Sequence, residues 1–455
     1  MYPPRGWTLR LVPTPRMDPS IQIAEKTWRS GESPILEVTR RYDESIDAQC
    51  GRWGRRMKLV QVFDPRKNAL NAWRLMLAAE VIVCHSWGIT GRVPSLRWVN
   101  QLLLCVGVDG FFAISGFLIT ASWLSNPRLR EYAAARALRI LPGFYACLVV
   151  TAFVIAPIGI AMQGGSAAKL IASGAPLEFV LKNSAVALVK FDIGGTPRGI
   201  PAAGAWNGSL WSLIWEVMCY IAVAVIGLLG LANRRWISPA IFVVALIGAM
   251  LLPPIMLPEV AAAHQQSGTT LPLLFLAART AIMFSAGAFL YQWRDVIPAR
   301  WSLVAVSVVI VLISSQLPDY RVVAALPLAY AVIVSGTLIH NRRLRLRTDL
   351  SYGVYIYACP IQQLLAISGL IWLPPLAFAA LSTIATLPLA ALSWFLVEKP
   401  AQSLKRRLKR KVARSEVPVP AAETTDQPTV EVPDSTPSLV QQVGPIGPTG
   451  AIAHP

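Results

Sequence analysis

The sequence predicts an all-α membrane protein of about ten transmembrane helices, with its N-terminus and C-terminus both in the cytoplasm. Three observations predict it: the composition, a series of apolar segments, and the placement of Lys and Arg. Of 455 residues, 54% are hydrophobic and only 15% are charged, and the mean hydropathy is +0.50. Soluble domains carry nearer a quarter charged residues, so this composition excludes a soluble enzyme. The formal net charge of +18 invites a nucleic-acid reading. On a chain this apolar, basic residues record topology instead, and no nucleic-acid partner is expected.

The elements follow in order. Residues 1–66 are polar and rich in Pro and Arg without a lasting period, and read as a disordered N-terminal extension. No apolar stretch precedes a small-residue cleavage site, so no cleavable signal is expected. Met57 opens a natural alternative start. Residues 67–411 form the membrane domain. A spanning helix needs ~20 mostly apolar residues. Ten segments qualify: about 70–89, 101–122, 142–162, 208–231, 237–257, 271–291, 301–316, 322–340, 350–371 and 375–397. The connection 163–206 is rich in Gly and Pro, and a short re-entrant or interfacial helix is expected near Leu177–Val189. Residues 412–455 read as a disordered, Pro-rich cytoplasmic tail. With the N-terminus inside, the cytoplasmic side carries 26 Lys and Arg and the outer loops 7. That bias sets the orientation, in the inner membrane of a bacterial cell. Six cysteines, with no close pair and no CxxC, predict neither disulfide framework nor zinc site.

Charged and titratable residues inside apolar segments are costly and usually face a cavity. Here they are Arg74, Glu80, His85, Asp109, Glu216 and Arg279. Arg74 and His85 are eleven residues apart, hence about 20° apart around one helix and ~16 Å apart along it. A neutral imidazole can take a proton from a hydroxyl as it attacks an activated carbonyl. Arg74, nearer the cytoplasmic mouth, suits an anionic donor. The bland alternative is a His85 that packs between helices with one hydrogen bond. Glu216 lies near mid-membrane, either binding substrate hydroxyls or ion-paired structurally with Arg279. Asp109 either caps or pairs with an inward Arg. Ser115 and Gly116 suit close helix packing. Arg136 and Arg139 are neighbours on one helix face. They read either as an interfacial helix on anionic lipid heads or as a clamp for a phosphate-bearing donor. Pro142 is expected to start the third spanning helix. Phosphate-loop, dinucleotide and nucleophile-elbow motifs are absent.

From about Asn68 to Arg407 the chain resembles the bacterial integral-membrane acyltransferases of acyltransferase family 3, the O-antigen and Nod-factor acetylase kind. Arg74 and His85 match its Arg-x10-His spacing. Gly107-Val108-Asp109-Gly110-Phe111-Phe112-Ala113-Ile114-Ser115-Gly116-Phe117-Leu118-Ile119 is the most specific block. Arg136-Ala137-Leu138-Arg139-Ile140-Leu141-Pro142, Ser209-Leu210-Trp211-Ser212-Leu213 with Glu216 and Tyr220, Ser351-Tyr352-Gly353-Val354-Tyr355, and Glu398-Lys399-Pro400 follow in order. One position departs. Ala358 stands where many relatives have a second His, and Tyr357, Gln362 or Gln363 are the candidates to take its role. No soluble SGNH-type domain is expected after the membrane unit, the tail of about 40 residues being too short for one.

The resemblance implies transfer of an acyl group, most often acetyl, from acyl-CoA to a hydroxyl of a cell-envelope glycan or lipid-linked saccharide. It implies no metal and no permanently bound cofactor; acyl-CoA is a substrate. His85 is the expected base, Arg74 the donor or electrostatic group, and Glu216 the acceptor-binding or His-orienting group. Arg136 and Arg139 would hold donor phosphates. Asp109, Ser115, Ser209 and Tyr355 are the expected substrate-binding positions. Partners are membrane lipids and the saccharide acceptor. The rivals are a solute or saccharide transporter gated by Glu216 and Arg279, and a structural component of an envelope-assembly complex. No internal symmetry supports the transporter.

Overall fold

The structure is a computed structural model that describes residues 57–252, 271–346 and 348–404. The expected disordered extension up to residue 56, the tail 412–455, Cys50, His264 and His454 lie outside the described residues. Among those described there are helices and no strand. Ten longer helices fall on the ten apolar segments: α1 Leu70–Ile89, α2 Arg97–Ser125, α3 Leu129–Met162, α4 Trp211–Leu228, α5 Ile237–Leu251, α6 Leu271–Gln292, α7 Trp301–Ser314, α8 Arg321–Leu338, α9 Ser351–Ile367 and α10 Pro375–Ser393.

Among the described residues, six helices are long and apolar enough to cross a membrane: α2, α3, α4, α6, α8 and α10. α5, α7 and α9 have 15, 14 and 17 residues, short of the ~20 that a full crossing needs. α1 has 20 residues but is interrupted by Arg74, Glu80 and His85. The outward faces are apolar: Val244, Leu251, Ile313 and Ile384 are each at least two-thirds exposed. In water such faces would be a liability; against lipid tails they need no partner. The protein is a multi-pass membrane protein.

One feature corrects the sequence reading. Pro142 lies inside α3, which begins at Leu129. The segment carrying Arg136 and Arg139 is therefore continuous with the spanning helix rather than a separate interfacial one. Further along, α3 widens into a π-turn at Thr151–Ile155. Pro157 follows and lacks the N–H that a regular turn would use, so the wider turn absorbs the missing bond. The same device ends α10, where a π-turn spans Trp394–Glu398 ahead of Pro400.

α2 and α6 cross with their backbones nearly touching. A side chain at Gly116 would strike the Phe284 carbonyl, and one at Gly287 would strike the Ala113 carbonyl. Only Gly permits that approach. The chain from Met57 is tied to the α6–α7 turn: Leu59 N–H donates to Ile297 O and Ala299 N–H to Met57 O, both at 2.8 Å. Leu59 is fully buried.

The connection between α3 and α4 forms short helices at Ala167–Ala172 and Ala175–Asn183. The expected helix thus ends at Asn183 rather than near Val189. Leu177 and Leu181 point outward, whereas Phe179 is buried. The chain then runs into the bundle before α4 begins. Trp206 and Asn207 are buried at 0% and 1% exposure. Irregular backbone inside a membrane bundle must find its hydrogen bonds in protein. Gln363 Nε2 on α9 donates to Ala202 O at 2.9 Å and Ala205 O at 2.6 Å. Asn207 Nδ2 donates to Ile356 O at 2.8 Å. α4 consequently starts against the middle of α9.

Candidate active site

One turn into α1, Arg74 faces a small, partly open cavity between α1, α2, α4 and α9. Phe111, Ser115, Ser212, Glu216, Tyr352 and Tyr355 line it with Arg74. The helix spacing that puts Phe111 and Ser115 one turn apart brings both to one wall of α2. Ser212 and Glu216 do the same on α4.

Arg74 does not stand alone. Its Nη1 lies 3.0 Å from Asp349 Oδ2, and Arg139 Nη2 from α3 lies 2.5 Å from the same oxygen. Asp349 immediately precedes α9, and its other oxygen accepts from Ser351 Oγ at 2.5 Å and Ser351 N–H at 3.3 Å. One carboxylate thus holds two guanidiniums and also binds Ser351, the first residue of α9. Burial alone would raise the Asp349 carboxyl, but Arg139 and Arg74 outweigh it and hold it well below the usual carboxylate range. Arg74 also lies over the Phe111 ring, 5.8 Å from its centroid. Its Nε is buried without a hydrogen-bond partner, a donor left available where the cavity begins.

Glu216 sits on the opposite wall. Ser115 Oγ donates to Glu216 Oε1 at 3.3 Å, and Tyr220 OH donates to the same atom. Glu216 forms no ion pair with Arg279. That arginine pairs with Asp109 at 3.2 Å and lies over Trp211, so the structural pair weighed for Glu216 is corrected. Both oxygens of Asp109 are taken. Arg321 Nε and Tyr320 OH each approach Oδ2 at 2.6 Å. Asp109 is fully buried and lies off the cavity lining, in the pairing that was one of its two expected roles.

Arg136 and Arg139 diverge although they are three residues apart. Arg136 Nη2 donates to Ser122 Oγ at 2.8 Å and its guanidinium lies over the Tyr132 and Tyr220 rings. The two arginines do not converge on one point. Tyr355 reaches the cavity, donates to Ser209 O at 2.8 Å and shares a 2.6 Å hydrogen bond with Ser212 Oγ. Ser209 itself is buried behind the lining, donating to Asn207 Oδ1 at 2.7 Å.

His85 lies outside the cavity lining, toward the other end of α1. It is partly buried, and its Nδ1 is enclosed without a hydrogen-bond partner. Among the described residues no three of His, Cys, Asp and Glu converge as a metal site.

The residue that sequence reasoning missed is Asp349. A signal existed. It is the first acid after the basic run that starts at Arg342, and Asp349-Leu350-Ser351 reads as the polar start of a helix. Tyr220 was noticed as part of a motif without a role; here it holds Glu216.

An acyltransferase domain model matches residues 67–395, which covers every helix that builds this cavity. An O-acetyl transferase of Shigella phage Sf6 is 26% identical over 344 residues, 73% of this chain and 96% of the phage protein. Nodulation protein 10 of Rhizobium leguminosarum bv. viciae is 27% identical over 368 residues, 75% of this chain and 95% of that protein. No solved structure matches. The transferred group in this enzyme class is an acyl group other than aminoacyl. With the match running from before α1 to the end of α10, the chain belongs to the membrane acyltransferase family 3.

Proposed function

We propose that the protein moves an acyl group, acetyl above all, from cytoplasmic acyl-CoA to a hydroxyl of a cell-envelope glycan or lipid-linked saccharide. The observation that carries this reading is the Arg74–Asp349–Arg139 cluster at the mouth of a cavity whose far wall holds Glu216. An anionic donor needs oriented cationic donors at its phosphates, and Arg74 and Arg139 supply them. Ser115, Ser212, Glu216 and Tyr355 suit hydroxyl-bearing groups. His85 lies ~16 Å further along α1, so an extended donor with its charge at the mouth can present its carbonyl deeper in the bundle. There His85 accepts the proton of the attacking hydroxyl. The oxygen–carbonyl bond forms, the thioester bond breaks, and the CoA thiolate leaves toward the cytoplasm. The name of the phage relative supports acetyl as the group transferred.

Membranes containing the protein, given acyl-labelled acyl-CoA and envelope saccharide, are expected to retain label on the saccharide. Solute uptake without acyl transfer would support a carrier instead. The carrier reading has lost its device, because Arg279 is engaged by Asp109 and not by Glu216.

In this reading all ten helices cross the inner membrane of a bacterial cell, the shorter ones beside irregular segments, and both ends face the cytoplasm. The supporting pattern is the excess of basic residues on one side. A reporter enzyme fused after Leu404 is expected to work only in its cytoplasmic form. Activity of a periplasmic form there would overturn the orientation.

A further inference from the structure

We propose that Gln362 is the positioning residue that orients His85, fixing which ring nitrogen faces the acceptor hydroxyl. The inference rests on the reading of His85 as the base in acyl transfer. Gln362 lies on α9 and is fully buried. Its Nε2 donates to Ile82 O at 2.9 Å and to Ser86 Oγ at 2.8 Å. Ser86 Oγ in turn donates to Ile82 O at 2.7 Å. Both amide protons of Gln362 are therefore spent on the single turn of α1 that carries His85.

Buried atoms without a hydrogen-bond partner lie on both helices here, Trp87 Nε1 on α1 among them. Gln362 Oε1 is buried with no hydrogen-bond partner, and so is His85 Nδ1. Buried polar atoms are rarely left unpaired. A carbonyl oxygen can only accept, and a neutral imidazole carries its proton on either nitrogen. With the proton on Nδ1 donated to Gln362 Oε1 through one water, the Nε2 lone pair becomes the base. An orienting acceptor behind a catalytic imidazole fixes its tautomer and its angle.

No charged group competes for that role. In the half of the bundle that holds His85, the titratable groups on helices packed against α1 are few. They are Arg97, Cys105 and Asp109 on α2, Arg321 on α8 and Cys359 on α9; α10 (Pro375–Ser393) has none. Asp109 and Arg321 are spent on each other. On α1 itself Cys84 is the neighbour, and Glu80 is five residues back, about 140° around the helix.

The test compares Gln362→Leu and Gln362→Glu in the full-length protein, measuring kcat, KM for donor and acceptor, melting temperature and the pH profile. Leu removes both the donor and the acceptor. It is expected to lower kcat by roughly tenfold or more with both KM values little changed. Glu keeps an acceptor oxygen and adds a charge that favours the imidazolium. Its rate is expected to persist, with the acid limb of the profile moved up by about one pH unit. A merely structural Gln362 would lower the melting temperature of both variants and leave the limb in place. An unmoved limb, or a wild-type kcat in the Leu variant, overturns the proposal, while an inactive His85→Ala variant keeps the acyl-transfer reading intact. An active His85→Ala variant overturns that reading instead.

Discussion

Replacing His85 with alanine is expected to lower acyl transfer by roughly 10²–10⁴-fold, the usual cost of losing a positioned general base. Imidazole is the side chain whose ordinary range lies near neutral pH. Its position on α1 cannot be filled by another histidine of the described bundle, since His340 lies exposed just beyond the end of α8. Alanine is the best helix former, and α1 keeps its length and its packing partners. The variant should therefore insert and accumulate normally. The measurement is the initial rate of label transfer from acyl-CoA in membranes, divided by the amount of protein detected by immunoblot. Near wild-type transfer at a normal protein level would remove the base assignment. The companion change, Glu216→Gln, keeps the hydrogen bonds from Ser115 and Tyr220 and removes only charge. It acts mainly on acceptor use.

Helix positions were legible because lipid leaves one strong signal, a mostly apolar stretch of about 20 residues, and α1 and α2 fall close to where that signal places them. It failed in one physical situation. Pro142 looked like a helix start, but in α3 the neighbouring packing tolerates the lost bond and the helix runs through. Helix length says less for α5, α7 and α9, which have 15, 14 and 17 residues. The site was half legible. Arg74, Glu216, Ser115 and Tyr355 announce themselves as polar residues in apolar segments, and the cavity gathers them. Asp349 did not, because it lies in a polar connection where an acid is unremarkable. Its partner Arg74 is 275 residues away in sequence. Arg136 and Arg139 share a helix face in sequence, yet α3 packs between two partners and sends them to different ones. The pairing of Asp109 with an inward Arg was open as an alternative, but that two arginines, Arg279 and Arg321, take it could not be read from spacing.

Asp349→Asn is expected to raise the donor KM at least tenfold and leave the acceptor KM near wild type. In the native protein one carboxylate oxygen holds Arg74 at 3.0 Å and Arg139 at 2.5 Å. Removing its charge leaves two guanidiniums close together with no counter-ion, and like charges in a partly buried site push apart. The donor phosphates would then meet two separated, mobile cations instead of one fixed pair. Asparagine can still accept from Ser351, so the start of α9 is preserved and the change isolates the charge. Arg74→Lys should show the same donor defect, because an ammonium on a shorter stem cannot make planar two-point contacts. The pH dependence separates this effect from that of His85. The folded Asp349 carboxyl lies below its unfolded value near pH 4. Its stabilising contribution is therefore fully present above about pH 4 and is lost only as the pH falls further. The Asp349→Asn defect should accordingly be constant from pH 6 to pH 9, whereas the acid limb that belongs to His85 should stay where it is in the wild type. Steady-state kinetics at several pH values, varying acyl-CoA at fixed saccharide, measures both quantities in one series. A donor KM unchanged in Asp349→Asn would show that the paired arginines hold α1 against α3 without touching the donor.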